Sequence, residues 1–190
     1  MARGGPAIPR YRATGAPAIL HQGFRPFFLG AGLWAVAAMA LWIGQLRGAP
    51  LLPAAMGPGA WHANAMLFGY LSAALAGFLT TAVPNWTGRM PIQGAPLAGL
   101  AALWLAGRIG VLAMDTIGLP AAAVLDVAFL VVLGAAIGRE IAAGRNWRNL
   151  PVLGGIGVLA LAHVLFWLGA AGQIPAGYGE RLAIGTFTLL

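Results

Sequence analysis

Histidine and methionine are the side chains of this 190-residue sequence best suited to bind a transition metal, because the chain has no cysteine. Without thiolates, iron–sulfur clusters and covalently attached c-type haem are excluded. The three histidines are His21, His62 and His163. His62, Met66 and Tyr70 follow one another at intervals of four, which places them on one stripe of an α-helix. This stripe is either a partial site for copper(I) or a source of axial haem ligands, or it is an interfacial anchor at a helix end.

His163 lies deep inside an apolar run, with Trp167 one helical turn further along the chain. Its distance from the end of the run is about 12 Å at 1.5 Å per residue. A polar ring at that depth must face the interior of a helix bundle, where it either donates to a backbone carbonyl or ligates haem iron. His21 precedes the first apolar run and is expected to be solvated or to contact lipid headgroups.

Arg108 and Asp126 are the charges that lie well inside predicted spans. An unpaired charge at that depth costs at least ~2.5 kcal/mol, so we expect the two to be partners. The midpoint between them, position 117, lies in a short turn, and an antiparallel hairpin brings both groups to the same depth. The pair either locks the hairpin or belongs to a proton path, an anion path or a clamp for haem propionates.

The composition excludes an ordinary soluble domain, since 60% of the residues are hydrophobic, 8% are charged and the mean hydropathy is +0.83. Soluble domains carry about 25% charged residues. The net charge of +7 does not indicate a nucleic-acid partner, because 21 uncharged residues separate Arg25 from Arg47. The expected partner is the lipid bilayer. The sequence has no nucleophile-elbow, P-loop or Rossmann motif, so no catalytic residue is predicted.

The apolar runs predict an all-α, polytopic transmembrane bundle that forms one domain over residues 1–190. Five full spans are predicted at 27–45, 61–83, 95–113, 119–138 and 151–171, and a truncated sixth at 182–190. This sixth run reaches only ~13 Å, less than half of the hydrocarbon thickness. We therefore expect the sequence to be a fragment whose remainder follows Leu190.

The arginines predict the orientation of the bundle. Eight of them fall in the N-terminal region and the second and fourth loops, against two in the first and fifth connections. The positive-inside rule then makes residues 1–24 a basic cytoplasmic tail. A cleavable signal peptide is excluded because some 26 residues precede the first run, which is itself long enough to span.

Three segments of the chain, taken in order, carry a family resemblance. They are Gly23-Phe-Arg-Pro-Phe-Phe-Leu29, Trp61-His-Ala-Asn-Ala-Met-Leu-Phe-Gly69 and Thr81-Ala-Val-Pro-Asn-Trp-Thr-Gly-Arg89. Together they resemble the NnrS family of bacterial membrane proteins, and the resemblance extends from Phe24 to the end of the chain. The motif residues that carry it include Arg25, Pro26, Pro84, Asn85, Trp86, Gly88 and Arg89.

The resemblance implies a multi-pass protein of the bacterial inner membrane that contains haem and copper and responds to nitric oxide or nitrosative stress. His62 matches the first histidine of the family pattern Trp-His-x-His-Glu-Met, and Met66 matches its methionine. Asn64 and Ala65 stand where the family has the second histidine and the glutamate, which removes two candidate ligands and weakens the expectation of copper. His163 lies near a position where relatives often carry histidine.

The leading hypothesis is therefore an NnrS-like membrane protein that binds haem through His62 and His163, with Met66 as an accessory metal ligand. A secondary transporter or channel-like carrier is an alternative, with Arg108 and Asp126 close to its pathway. A membrane partner subunit without a cofactor is another alternative.

Overall fold

The structure is a computed structural model that describes residues 15–190. Most of the predicted basic tail, including Arg3, Arg10 and Arg12, lies outside the described residues. Six long helices follow one another, and between residues 15 and 190 there is no β-strand. They are α1 (Phe24–Leu46), α2 (Pro58–Thr87), α3 (Ala95–Leu112), α4 (Leu119–Ala143), α5 (Leu150–Ala170) and α6 (Tyr178–Leu189).

Five of these helices, α1 to α5, are long and apolar enough to cross a membrane, which confirms the predicted all-α membrane architecture. The sixth, α6, has 12 residues and begins at Tyr178, earlier than the predicted run 182–190. The second and fourth loops meet at one end of the bundle, where Arg89 pairs with Glu140 of α4 and Asn146 donates to the carbonyl of Trp86. We call this the arginine-rich end. Its assignment to the cytoplasm and that of the protein to the inner membrane stay predictions.

Proline marks the beginning of most of these helices. Pro58, Pro96, Pro120 and Pro151 each lie in the first turn of their helix. The missing N–H of proline is harmless there, because the first amides of a helix have no intrahelical partner. At its other end, α2 stops where Gly88 adopts the left-handed conformation, with φ of 66°.

Two helices extend beyond their predicted ends because one accommodates a proline and the other a buried glutamate. Helix α2 spans 58–87 rather than 61–83 and contains Pro84, which leaves the carbonyl of Thr80 without its helical N–H donor. Both residues line a cavity of about 10 Å³ at the arginine-rich end, which is about the space for one water. Helix α4 continues to Ala143 rather than 138, because Glu140 is buried and paired with arginines.

The middle of α2 is wound as a π-helix over Ala65–Leu71. A π-turn contains more residues than an α-turn and is common near functional sites. The regular interval of four that placed His62, Met66 and Tyr70 on one stripe therefore does not hold here. Side chains on the two sides of the π-helical segment point in directions that an uninterrupted α-helix would not give.

Helices α2 and α4 form the centre of the bundle. Helix α1 packs on α2, α3 packs on α4, and α4 also contacts α2 and α5, while α6 packs along α5. Glycines allow close approach: a Cβ on Gly179 of α6 would lie 2.3 Å from the backbone nitrogen of Phe166. Apolar side chains such as Leu33, Val36 and Val124 point outward and are exposed, as expected for a surface that faces lipid.

Candidate functional site

The two intramembrane charges meet inside the bundle. An Nη2 atom of Arg108 on α3 contacts Oδ1 of Asp126 on α4, and both side chains are buried. Trp34 of α1 lies against the guanidinium, whose Cζ is 5.8 Å from the ring centroid, in the range of a cation–π interaction. Gly69 of α2 makes room for the same group, since a Cβ there would be 2.6 Å from Nη1 of Arg108. The α3–α4 hairpin therefore places both charges at one depth.

The second carboxylate oxygen of Asp126 joins three further side chains. Oδ2 accepts hydrogen bonds from Asn64 Nδ2 at 2.8 Å and from Trp167 Nε1 at 3.2 Å, and it lies 2.8 Å from Nε2 of His163. We call Asn64, Arg108, Asp126, His163 and Trp167 the polar cluster. It connects α2, α3, α4 and α5 in the middle of the bundle.

The short contact between His163 and Asp126 selects one tautomer of the imidazole. With Asp126 ionised beside Arg108, a nitrogen 2.8 Å from its carboxylate oxygen carries a proton and donates it, because two lone pairs would repel each other. Nε2 is then the donor, and Nδ1 keeps the lone pair. This Nδ1 atom is buried and has no hydrogen-bond partner. An imidazole oriented by a carboxylate in this way is a common arrangement for metal ligation through the other nitrogen.

The packing around His163 nevertheless closes access to this nitrogen. The ring is 0% exposed and is stacked on Phe68, with the centroids 3.9 Å apart and the planes 3° from parallel. A macrocycle as large as haem reaches Nδ1 only if neighbouring side chains move. In this arrangement His163 serves the polar cluster, and its assignment as a haem ligand stays a prediction.

His62 lies on the opposite side of α2 from the cluster. It precedes Asn64 by two positions, and residues two apart on a helix do not share a face. Its ring stacks on Trp42 of α1, with centroids 3.9 Å apart, and its Nδ1 is buried without a partner. The structure therefore does not bring His62 and His163 together into one ligand set.

The donors near His62 fit haem better than copper. The indole N–H groups of Trp42 and Trp61 are also buried without partners, so an imidazole ligand and two hydrogen-bond donors are available at this end of α2. For copper, the candidate ligands in this segment are only His62 and Met66, because the side chain of Asn64 is hydrogen-bonded to Asp126. Across residues 15–190, no three His, Cys, Asp or Glu side chains come together as a metal site.

A comparison with protein families tests the family resemblance that the sequence motifs indicated. A model of the NnrS family, described as NnrS protein, matches residues 18–190. The chain belongs to the NnrS family. Neither a curated protein nor a solved structure matches it.

Several residues by which the chain resembles other NnrS proteins hold the arginine-rich end together. Arg89 Nε donates to Glu140 Oε2 at 2.6 Å, which ties the segment after α2 to α4. Arg139 donates to the other oxygen of Glu140 at 3.0 Å. Gly88 N–H donates to the carbonyl of Pro84 at 3.0 Å and closes the last turn of α2. These contacts give the motif a structural role.

The remaining motif residues of the NnrS resemblance also make structural contacts. Asn85 Nδ2 donates to the carbonyl of Thr81 at 3.2 Å, and the carbonyl of Trp86 accepts from the side chain of Asn146. Arg25 donates to the carbonyl of Ala18 at 2.7 Å, with Pro26 beside it in the first turn of α1. None of these contacts reaches His62 or the polar cluster.

Sequence reasoning missed the central role of Asn64, Phe68 and Trp167. It treated Asn64 only as the loss of a candidate ligand, whereas the side chain is 0% exposed and binds Asp126. A signal was present in the sequence, because an amide inside an apolar run needs buried partners, and Asp126 and His163 are the ones available. No feature of the sequence indicates that Phe68 stacks on His163.

Proposed function

We propose that this protein binds haem at the end of α2 near His62 and acts in the nitric oxide or nitrosative-stress response of a bacterial inner membrane. Membership of the NnrS family over residues 18–190 supports the proposal. The observation that carries it is the Nδ1 atom of His62, which is buried within an apolar bundle and has no hydrogen-bond partner. A buried nitrogen without a partner is costly unless a ligand satisfies it.

The chain's own residues would orient and hold the group. His62 would provide the iron ligand, and stacking on Trp42 fixes the plane of its imidazole. The buried N–H groups of Trp42 and Trp61 would donate to the carboxylates of the group. Bound haem would supply an iron atom that takes up nitric oxide, a small neutral molecule that enters the bilayer. Copper is not included, because Asn64 and Ala65 leave too few donors in this segment.

The polar cluster has a structural role in this proposal. Both oxygens of Asp126 are engaged by side chains of the protein, and the cluster fixes α2 against α3, α4 and α5. That arrangement favours a locked bundle over a path for protons or anions. No contact among the described residues specifically favours the transporter or the partner-subunit alternative.

The absorbance spectrum of the purified protein tests the haem proposal. We expect a Soret band in protein isolated from haem-replete cells, and its loss or shift in His62→Ala. His21→Ala is the matched control, because His21 lies at the arginine-rich end, where its Nε2 is 2.7 Å from the carbonyl of Ala16. Helical circular dichroism checks that each variant is folded. Absence of haem from the wild type, or an unchanged spectrum in His62→Ala, would contradict the proposal.

The biological part of the proposal is tested in cells. A deletion strain exposed to nitric oxide is expected to grow poorly, and the wild-type gene is expected to restore growth whereas His62→Ala does not. If His62→Ala restores growth fully, the response does not depend on this ligand. If the deletion has no effect on survival under nitric oxide, the assignment to nitrosative stress is wrong.

A further inference from the structure

The loop between α4 and α5 contains the one described non-glycine residue with a positive φ angle. Arg145 has φ of 51°, whereas the other positive angles among residues 15–190 belong to six glycines. The N–H of Arg145 bonds to the carbonyl of Ala142, and that of Asn146 bonds to the carbonyl of Ile141, each at 3.0 Å. This is a Schellman end, in which the left-handed position is normally glycine. An arginine there is disfavoured by its Cβ.

The neighbouring glycine is required for packing and cannot relieve this conformation. A Cβ on Gly144 would lie 2.6 Å from the Cβ of Thr87 at the end of α2. The loop is held further by Asn146, whose amide donates to the carbonyl of Trp86, and by Asn149, which donates to Asn146 Oδ1 at 3.0 Å. Residues 144–149 are therefore held by packing against α2 and by hydrogen bonds within the protein.

The loop presents cations and an indole at its surface. Arg145 and Arg148 are exposed, and Trp147 between them is 60% exposed. Leu150, the first residue of α5, is also exposed, so apolar surface continues from the loop along the membrane-facing side of α5. Tryptophan is the residue typical of the boundary between headgroups and acyl chains.

The positive charge of this loop is not balanced within the described part of the chain. Among residues 15–190, Glu140 is the one side-chain carboxylate at the arginine-rich end, and Arg89 and Arg139 both pair with it. Arg145 and Arg148 have no carboxylate within 4.0 Å among residues 15–190. In this part of the chain, Arg145 and Arg148 thus flank the exposed Trp147 in sequence and have no carboxylate of the protein as a counter-ion.

We propose that the 144–149 loop is a binding site for the phosphate headgroup of an anionic membrane lipid. Guanidinium groups form paired hydrogen bonds to phosphate oxygens, and each arginine near a membrane surface strengthens the attraction to anionic lipid. Trp147 marks the depth of the headgroup, and the exposed side of Leu150 receives the acyl chain. The cost of placing arginine rather than glycine at position 145 is then offset by the lipid. This site is independent of haem binding.

Native mass spectrometry of the detergent-solubilised chain, titrated with phosphatidylglycerol or with phosphatidylcholine, tests the site. We expect preferential retention of phosphatidylglycerol, reduced about fivefold in Arg145→Gly and in Arg148→Gln. Arg181→Gln, which removes an arginine of α6 outside the loop, is the matched control and is expected to change neither lipid. Higher salt is expected to weaken retention of the anionic lipid selectively.

Thermal unfolding in lipid-free detergent separates lipid binding from a structural role. Arg145→Gly relieves the left-handed strain, so we expect a higher midpoint of unfolding together with weaker lipid retention. Arg148→Gln leaves the midpoint unchanged. The proposal is overturned if both variants retain phosphatidylglycerol as the wild type does, or if they lose phosphatidylcholine equally. It is also overturned if Arg145→Gly lowers the midpoint, because arginine would then stabilise the loop without lipid.

Discussion

Replacing Asp126 by asparagine is the most direct test of how the polar cluster holds the bundle together. The substitution preserves the size of the side chain and leaves Arg108, which is 2% exposed, without its carboxylate. Removing one partner of a buried ion pair costs about 3–5 kcal/mol in soluble proteins. A lone arginine at the centre of a spanning helix costs roughly 2.5–3.5 kcal/mol on the insertion scale. We therefore expect Asp126→Asn to lower the free energy of unfolding by about 3 kcal/mol.

The assay is reversible unfolding in mixed micelles, followed by circular dichroism, with a double-mutant cycle. Arg108→Met, Asp126→Asn and the double variant are compared with the wild type. Because the double variant no longer buries an unpaired cation, its loss should be about 2 kcal/mol smaller than the sum of the single losses. Asp115→Asn is the control: Asp115 accepts from the amides of Ala54 and Ala55 near the surface, so we expect about 1 kcal/mol or less.

A free energy of unfolding for Asp126→Asn within about 0.5 kcal/mol of the wild-type value, the range usual for surface substitutions, would contradict this expectation. Losses of the single variants that simply add in the double variant would contradict it as well. Either result would mean that Arg108 finds another partner, and that the contact with Asp126 contributes little to stability.

Two further substitutions test the packing of α6 and the role of Asn64 in the polar cluster. Gly179→Ala should destabilise the protein by about 1–3 kcal/mol in the same unfolding assay, because its Cβ would press on the backbone of α5, whereas Gly185→Ala, which meets open space, should not. Equal effects of the two would show that α6 does not depend on this contact. Asn64→Leu, which keeps a side chain of similar size and removes the donor to Asp126 Oδ2, should lower the free energy of unfolding by about 1–3 kcal/mol in the same assay. A loss below about 0.5 kcal/mol would show that this amide contributes little to the polar cluster.

The sequence predicted the spans well because the relevant signal is local. Long apolar runs bounded by arginine, glycine or proline are sufficient to identify helices that cross a membrane, and five of them are present in the structure. The common depth of Arg108 and Asp126 was also predicted, because the two residues are equally far in sequence from the turn at position 117. Helix ends were less accurate: Pro84 lies inside α2, because the loss of one hydrogen bond near a helix end is tolerated.

The arrangement of the candidate site could not be predicted from spacing. The interval between His62 and Met66 assumes 3.6 residues per turn, whereas the π-helical segment begins between them. The stacking of Phe68 on His163 and of Trp42 on His62 depends on the way in which distant helices pack. Such contacts join residues far apart in sequence, and no local pattern encodes them.

The π-helical segment over Ala65–Leu71 has a consequence for the evolution and engineering of this protein. It contains one residue more than an α-helix would need to cover the same distance. If the same residues rewound as a regular α-helix, at about 100° per residue, everything before the segment would rotate by roughly one residue's angle relative to everything after it. Asn64 would then turn out of the interior, although no side chain of the polar cluster had been changed. The winding of this segment is thus as much a determinant of the centre of the bundle as the chemistry of its residues.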